Sequence, residues 1–198
     1  MAVSPPPPPP PPRRIRIVGT SGSGKTALAR AVGERAGLAH LELDAVFWDA
    51  GWSRREAEEA LALIRGFVDG HPDGWVVDGN WTSSLGGLLD PGAPRGADVV
   101  VWIDHPRRVV MRRIIVRTVA RGILRQELWH GNRERPADWL RWEPERNIMR
   151  WAWTSHPRVR ARMLRRIAAG EPVVRLRGQR EVNAWLDALS EGARTVYP

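Results

Sequence analysis

Residues 15–26, Ile-Arg-Ile-Val-Gly-Thr-Ser-Gly-Ser-Gly-Lys-Thr, hold the densest set of groups suited to gripping phosphate. A β-branched run enters a glycine-rich turn, which closes on Lys25-Thr26 and opens into an alanine-rich stretch. This is the pattern G-x-x-x-x-G-K-S/T in the strand–loop–helix context that gives it meaning. Gly19, Gly22 and Gly24 let the backbone curl, so that N–H groups of the loop, Thr20, Ser21 and Ser23 included, face phosphate oxygens. The start of the following helix adds the positive end of its dipole. The Lys25 ammonium is expected at the β- and γ-phosphates, and the Thr26 hydroxyl at Mg²⁺. Lys25 is the single lysine of the chain, in which arginine is used everywhere else. A compact, flexible ammonium stands where that chemistry suits it.

Other groups could complete a phosphoryl-transfer site. Asp44 and Asp78 each close a short apolar run that reads as a strand, and ligands of open parallel sheets lie beyond the carboxyl ends of strands. Asp78 is the first choice for the acid beside Mg²⁺, the alternative being a turn cap. Asp44 lies across the cleft, where it accepts a proton if the acceptor is a hydroxyl, or positions a base, sugar or metal if it is a phosphate. Trp48 and Trp52 offer stacking surfaces for a flat acceptor, against the competing role of core packing. Arg113, Arg117, Arg121 and Arg125 recur every four residues and share one helical face, with Arg133 and Arg135 beyond them. Guanidinium forks suit the charge spread over a transferring phosphoryl group, so a lid bringing several of these arginines over bound phosphates is expected, with two or three touching substrate and the rest on a solvated face or against an acidic partner. Arg177-Gly178-Gln179 follows the last strand, where an adenine is expected to rest against backbone.

The elements that must position these residues alternate along the chain. Strands are predicted at 15–18, 40–44, 75–78, 98–104 and 173–176. Helices are predicted at about 24–36, 53–68 (Ser53 and Glu56 forming a capping box), 106–125, 145–153, 157–169 and 181–189. Asp104 or His105 is placed near the cap of the fourth-strand helix. Residues 81–97 read as loop with one helical turn, and 126–144 as a polar, irregular, mobile excursion. Such alternation implies one α/β domain with a parallel sheet and helices on both faces. It spans 14–191, after a proline-rich extended tail at 1–13 and before a flexible C-terminus at 192–198.

Composition narrows the class. A chain of 198 residues with 42% hydrophobic and 27% charged residues fits one soluble globular domain. No apolar run is long enough to span a bilayer, and the absence of cysteine excludes disulfides and fits a cytoplasmic protein. The histidines lack metal-ligand spacing, so no zinc site is assigned. A net charge of +9 attracts polyanions or reflects arginine bias.

The order GTSGSGKT, LELDAVFWDAGW, WVVDGN, ADVVVWIDHPRR, GNRE and RLRGQREVNAWL resembles the adenylate-kinase-like P-loop proteins known as topology-modulation proteins, from Arg14 to Leu189. The resemblance implies a nucleoside-kinase-like core with strand order 2-3-1-4-5, an acceptor region after the second strand and a lid between the fourth and fifth. It implies that Asp44 and Arg55 face the acceptor, with Asn80 of the Asp-Gly-Asn piece beside them, and that Asp78 lies near magnesium. Arg117, Arg121, Arg133 and Arg135 become the lid candidates. Asp78-Gly79-Asn80 lacks the Phe-Pro-Arg that follows Asp-Gly in adenylate kinases, which argues against AMP as acceptor. The leading expectation is a kinase using ATP and Mg²⁺ on a nucleotide, nucleoside or other small molecule. The alternative is a nucleic-acid-associated ATPase, for which no DNA-binding motif is visible. A third reading, a nucleotide switch for a partner of the proline tail, comes last.

Overall fold

The structure is a computed structural model that describes residues 11–134, 137, 139, 142–143 and 147–196, with side chains up to 189. Five parallel strands form one sheet in the order β2-β3-β1-β4-β5. They are β1 (Arg14–Gly19), β2 (Ala39–Glu42), β3 (Trp75–Asp78), β4 (Val99–Ile103) and β5 (Val173–Leu176). The central register sets Ile17 opposite Asp78 on one side and Val101 on the other. This is the expected strand order, with β1 and its loop at the centre.

Side-chain alternation divides the core. Ile15 and Ile17 pack with Val76, Val101 and Ile103 under α1 (Lys25–Ala36) and α7 (Gln179–Val196). On the other face, Trp75 and Val77 meet α2 (Leu43–Phe47), α3 (Ala57–Gly70) and α4 (Thr82–Leu85). Val18, Val100 and Trp102 meet α6 (Ile148–Ala168), which packs beside α5 (Arg107–Ile123). Arg16 lies on that second face, almost fully buried, and donates to Asp90 Oδ1 at 2.6 Å. Burial pushes its guanidinium down to about 10, although Asp90 opposes the shift.

Several local expectations are corrected. β2 ends at Glu42, and Asp44 lies in the first turn of α2 rather than at a strand end. Leu43, Val46 and Phe47 are buried at helical spacing, so the chain turns helical to bury one face. Ser53 does not cap α3: its hydroxyl donates to Ala50 O, and α3 begins after Glu56 with no side-chain cap. α5 is preceded by Pro106 rather than capped by Asp104 or His105. Asp104 instead accepts from Arg175 and Arg160, joining β4, β5 and α6. The helices predicted on either side of Pro157 are one, because the buried row Ala152, Ser155, Val159 and Met163 holds α6 continuous across the proline. α7 continues to Val196, past Leu189 and into the segment expected to be flexible. The described part of 126–144 includes a single-turn 3₁₀ helix at Trp129–Gly131 and an antiparallel bridge between Glu127 and Arg133.

Candidate active site

The glycine-rich loop is shaped by close approach. Gly22 and Gly24 have φ of +85° and +97°, conformations that side chains disfavour. A Cβ on Gly22 would lie 3.1 Å from both Ile114 Cβ and Val110 O, so α5 packs directly on the loop. A Cβ on Gly19 would lie 2.6 Å from Ser23 Oγ. Thr20 and Ser23 are buried, and Ser23 N donates to Thr20 O at 3.0 Å. Ser21 sits half-buried between them. The Asn80 side chain clasps this loop, donating to Gly19 O at 2.7 Å and accepting from Gly19 N at 3.3 Å. Its amide is therefore engaged with the cradle.

Charged groups converge on Lys25. Its Nζ lies 3.4 Å from Thr20 O. Burial pushes the ammonium below the ordinary lysine value, Asp44, Asp78 and Glu42 oppose the shift, and Arg117 adds to it. The Arg117 guanidinium is itself lowered by burial and by Arg121, against Glu134, Asp44 and Glu42, and its Nε has no hydrogen-bond partner among the described residues. Thr26 donates to Glu42 Oε1 at 3.1 Å. Asp78 is buried; its Oδ2 accepts no hydrogen bond among the described residues and lies 3.7 Å from His40 Nε2. Two adjacent strand ends thus bring Glu42 and Asp78 beside the helix that starts with Lys25-Thr26. Sequence reasoning missed Glu42 because it placed the strand end at Asp44. The strand-alternating run His40-Leu41-Glu42, broken by the helical spacing from Leu43, carried the signal.

Beyond Asp44 lies an aromatic cluster. Trp81 Nε1 donates to Asp44 Oδ1 at 2.6 Å, and the Trp81 ring stacks on Phe47. Trp48 meets Trp81 and Trp52 edge-on at 5.6 and 5.9 Å. Trp81 was not singled out from sequence. Arg55 bonds Asp49, which raises the guanidinium above its ordinary value and engages it.

The arginines sort by partner. Arg113 donates to Ser23 O at 3.4 Å and to Gln179 Oε1 at 3.0 Å, bridging the loop to α7. A cavity of about 510 Å³ lies along this part of α5, lined by Val109, Arg112, Arg113, Val116 and Arg117. Arg121 pairs with Glu134 at 3.4 Å, whereas Arg133 is half-exposed and held by Glu127 at 2.5 Å. Arg135 lies outside the described residues. Arg177 is exposed, and its backbone N–H donates to Glu181 Oε2 at 2.8 Å as α7 begins. Gly178 has φ +137°. Among the described residues no helix is long and apolar enough to cross a membrane.

No protein-family model matches the sequence, and no curated protein does. Solved structures match by fold. Shikimate kinase from Acinetobacter baumannii in complex with shikimate is 14% identical over 93% of this chain and 94% of that one, with a TM-score of 0.55. A protein from Chloroflexus aurantiacus is 17% identical over 91% and 98%, with a TM-score of 0.50. A gluconokinase from Sinorhizobium meliloti, 18% identical over 96% and 99%, has a TM-score of 0.49. With its five parallel strands and glycine-rich loop, the chain has the α/β fold of the P-loop kinases.

Proposed function

We propose that this chain is an ATP-dependent kinase that moves the γ-phosphoryl group to a small-molecule acceptor held beside Asp44. The observation that carries this reading is the tight glycine loop closing on Lys25-Thr26, with Thr26 donating to Glu42 and the strand register setting Glu42 beside Asp78. The residues fit a Mg-triphosphate: a cradle too tight for a Cβ at Gly19 or Gly22, a half-buried lysine beside it, and a hydroxyl already paired with a carboxylate. Thr26 and Glu42 would hold Mg²⁺, with Asp78 nearby. When bound, the ion neutralises charge on the β- and γ-oxygens.

The chain's own groups do the rest. Loop amides and Lys25 bind the phosphates, and Arg117 faces the charge that develops on the equatorial oxygens. Trp81 fixes Asp44 through Oδ1, leaving Oδ2 to take the proton of an acceptor hydroxyl. The hydroxyl oxygen bonds to the γ-phosphorus as the bond to the bridging oxygen breaks, and ADP leaves. Trp48 and Trp52 wall the acceptor side, and the turn at 128–133, tied to Asp49 and Trp52, serves as the lid. The resemblance to topology-modulation proteins supports an adenylate-kinase-like member of this fold, with an acceptor other than AMP.

Transfer from labelled ATP across panels of nucleosides, nucleoside monophosphates and sugars tests the reading. Label should pass to at least one acceptor, and Lys25→Ala should lower that transfer by about 10²-fold or more. Unchanged transfer in Lys25→Ala would overturn it.

A further inference from the structure

The turn at 128–133 and the segment 45–52 lie far apart in sequence, yet they are tied at several points. Asn132 is buried at 4% exposure. Its Oδ1 accepts from Trp52 N at 2.9 Å, and its Nδ2 donates to Asp49 O at 2.8 Å. Its backbone N–H donates to Trp129 O, and its carbonyl accepts from Leu128 N. One amide therefore satisfies a donor and an acceptor of the opposing backbone, a task that a shorter or apolar side chain cannot perform. Trp52 Nε1 donates to Arg133 O at 3.2 Å, and His130 Nε2 donates to Ala45 O at 2.9 Å. The Trp52 and Trp129 rings meet edge-on at 6.3 Å.

Backbone strain marks the same contact. Trp52 and His130, both non-glycine, have φ of +58° and +56°. Such conformations persist only where surrounding contacts hold them, and they gather at functional sites. Each lies in the tie itself. On one side the tied segment begins immediately after Asp44 and includes Trp48. On the other, Glu134 follows the turn and pairs with Arg121, next to Arg117.

We propose that Asn132 is a positioning residue, which locks the acceptor-side segment to the lid turn and so holds Asp44 and Arg117 facing each other over the phosphate cradle. The proposal rests on the kinase reading for its catalytic consequence. The tie is testable without it.

Two measurements on the full chain decide the matter. Hydrogen exchange without ligand should speed up about tenfold at 49–53 and 128–133 in Asn132→Ala, and elsewhere stay unchanged. Asn132→Asp retains the acceptor for Trp52 N–H but loses the donor to Asp49 O, so exchange at Trp52 should remain close to that of the parent protein. Mg-ATP hydrolysis supplies the second readout, with water as acceptor. Its oxygen bonds to the γ-phosphorus, the bridging P–O bond breaks, ADP and phosphate leave, and the proton passes to solvent. In Asn132→Ala, kcat should fall about tenfold while KM for Mg-ATP stays within about twofold. Unaltered exchange in both segments would overturn the tie. An equal loss in kcat and nucleotide affinity would overturn the positioning role. Should the parent chain hydrolyse no ATP, transfer to the acceptor found in the panel supplies the kcat and KM instead; a parent chain that transfers to no acceptor ends the kinase reading and the positioning role with it, and accelerated exchange would still establish the tie.

Discussion

Gly22→Ala tests how the phosphate cradle is built. Two penalties act at this position. The residue has φ +85°, which costs an L-residue about 1–2 kcal/mol. The new methyl would also meet Ile114 Cβ and Val110 O at 3.1 Å and Ile114 N at 3.3 Å. Two of those three atoms are helix backbone, which cannot rotate aside, so α5 or the loop must shift. Crowding of this kind costs about 1–3 kcal/mol. The sum is about 2–5 kcal/mol, a large part of the roughly 5–15 kcal/mol that keeps a domain folded. Gly24→Ala is the matched comparison. Its φ is +97°, but the nearest atom is the far end of the Arg113 side chain at 3.8 Å, so only the conformational penalty applies. Urea unfolding of both variants, with calorimetric titration of Mg-ATP, separates the two effects. Gly22→Ala should lose more stability than Gly24→Ala by about 1–3 kcal/mol, the crowding contribution alone. Equal losses would refute the claim that α5 braces the loop.

Other groups offer independent checks. Arg117→Met should lower kcat for transfer or hydrolysis by about 10²-fold, whereas Arg133→Ala, removing a half-exposed surface pair, should leave it unchanged. The ratio of the two variants' kcat values reads out which arginine faces the phosphates. Glu42→Gln should raise the Mg²⁺ concentration needed for half-maximal activity about tenfold or more, measured at fixed ATP. His105 is buried, and burial followed by Arg113 lowers its imidazole below the ordinary value of 6.5. The unfolded chain then binds the proton more readily, so stability is intact above pH 6.5 and declines as pH falls from there toward the folded-state value. His105→Asn should flatten the fall in Tm between pH 7.5 and 5.5, an interval set to bracket that ordinary value by about one unit.

What could be read from the sequence was local. Gly19 to Thr26 announce a phosphate cradle because glycine placement, loop length and the Lys-Thr pair are all encoded within one turn of chain. Four of the five strands were recognisable as β-branched runs because a parallel strand buried on both faces needs little else. The strand order entered through resemblance, and the sheet has it.

Tertiary structure decided which groups are available. Asn80, Arg55 and Arg133 meet Gly19, Asp49 and Glu127, and no spacing rule reveals such partners across the fold. The end of β2 moved two residues from Asp44 to Glu42 because Leu43, Val46 and Phe47 gain more by packing as a helical face than by extending a strand. That shift placed Glu42 against Thr26 and turned Asp44 toward Trp81. Pro157 remains inside α6 for the same reason, since the buried row on either side outweighs one absent backbone hydrogen bond. Local sequence sets what each residue can do. Burial and long-range pairing select which of those capacities are left to meet a ligand, because a charge or amide satisfied inside the fold has little left to offer outside it.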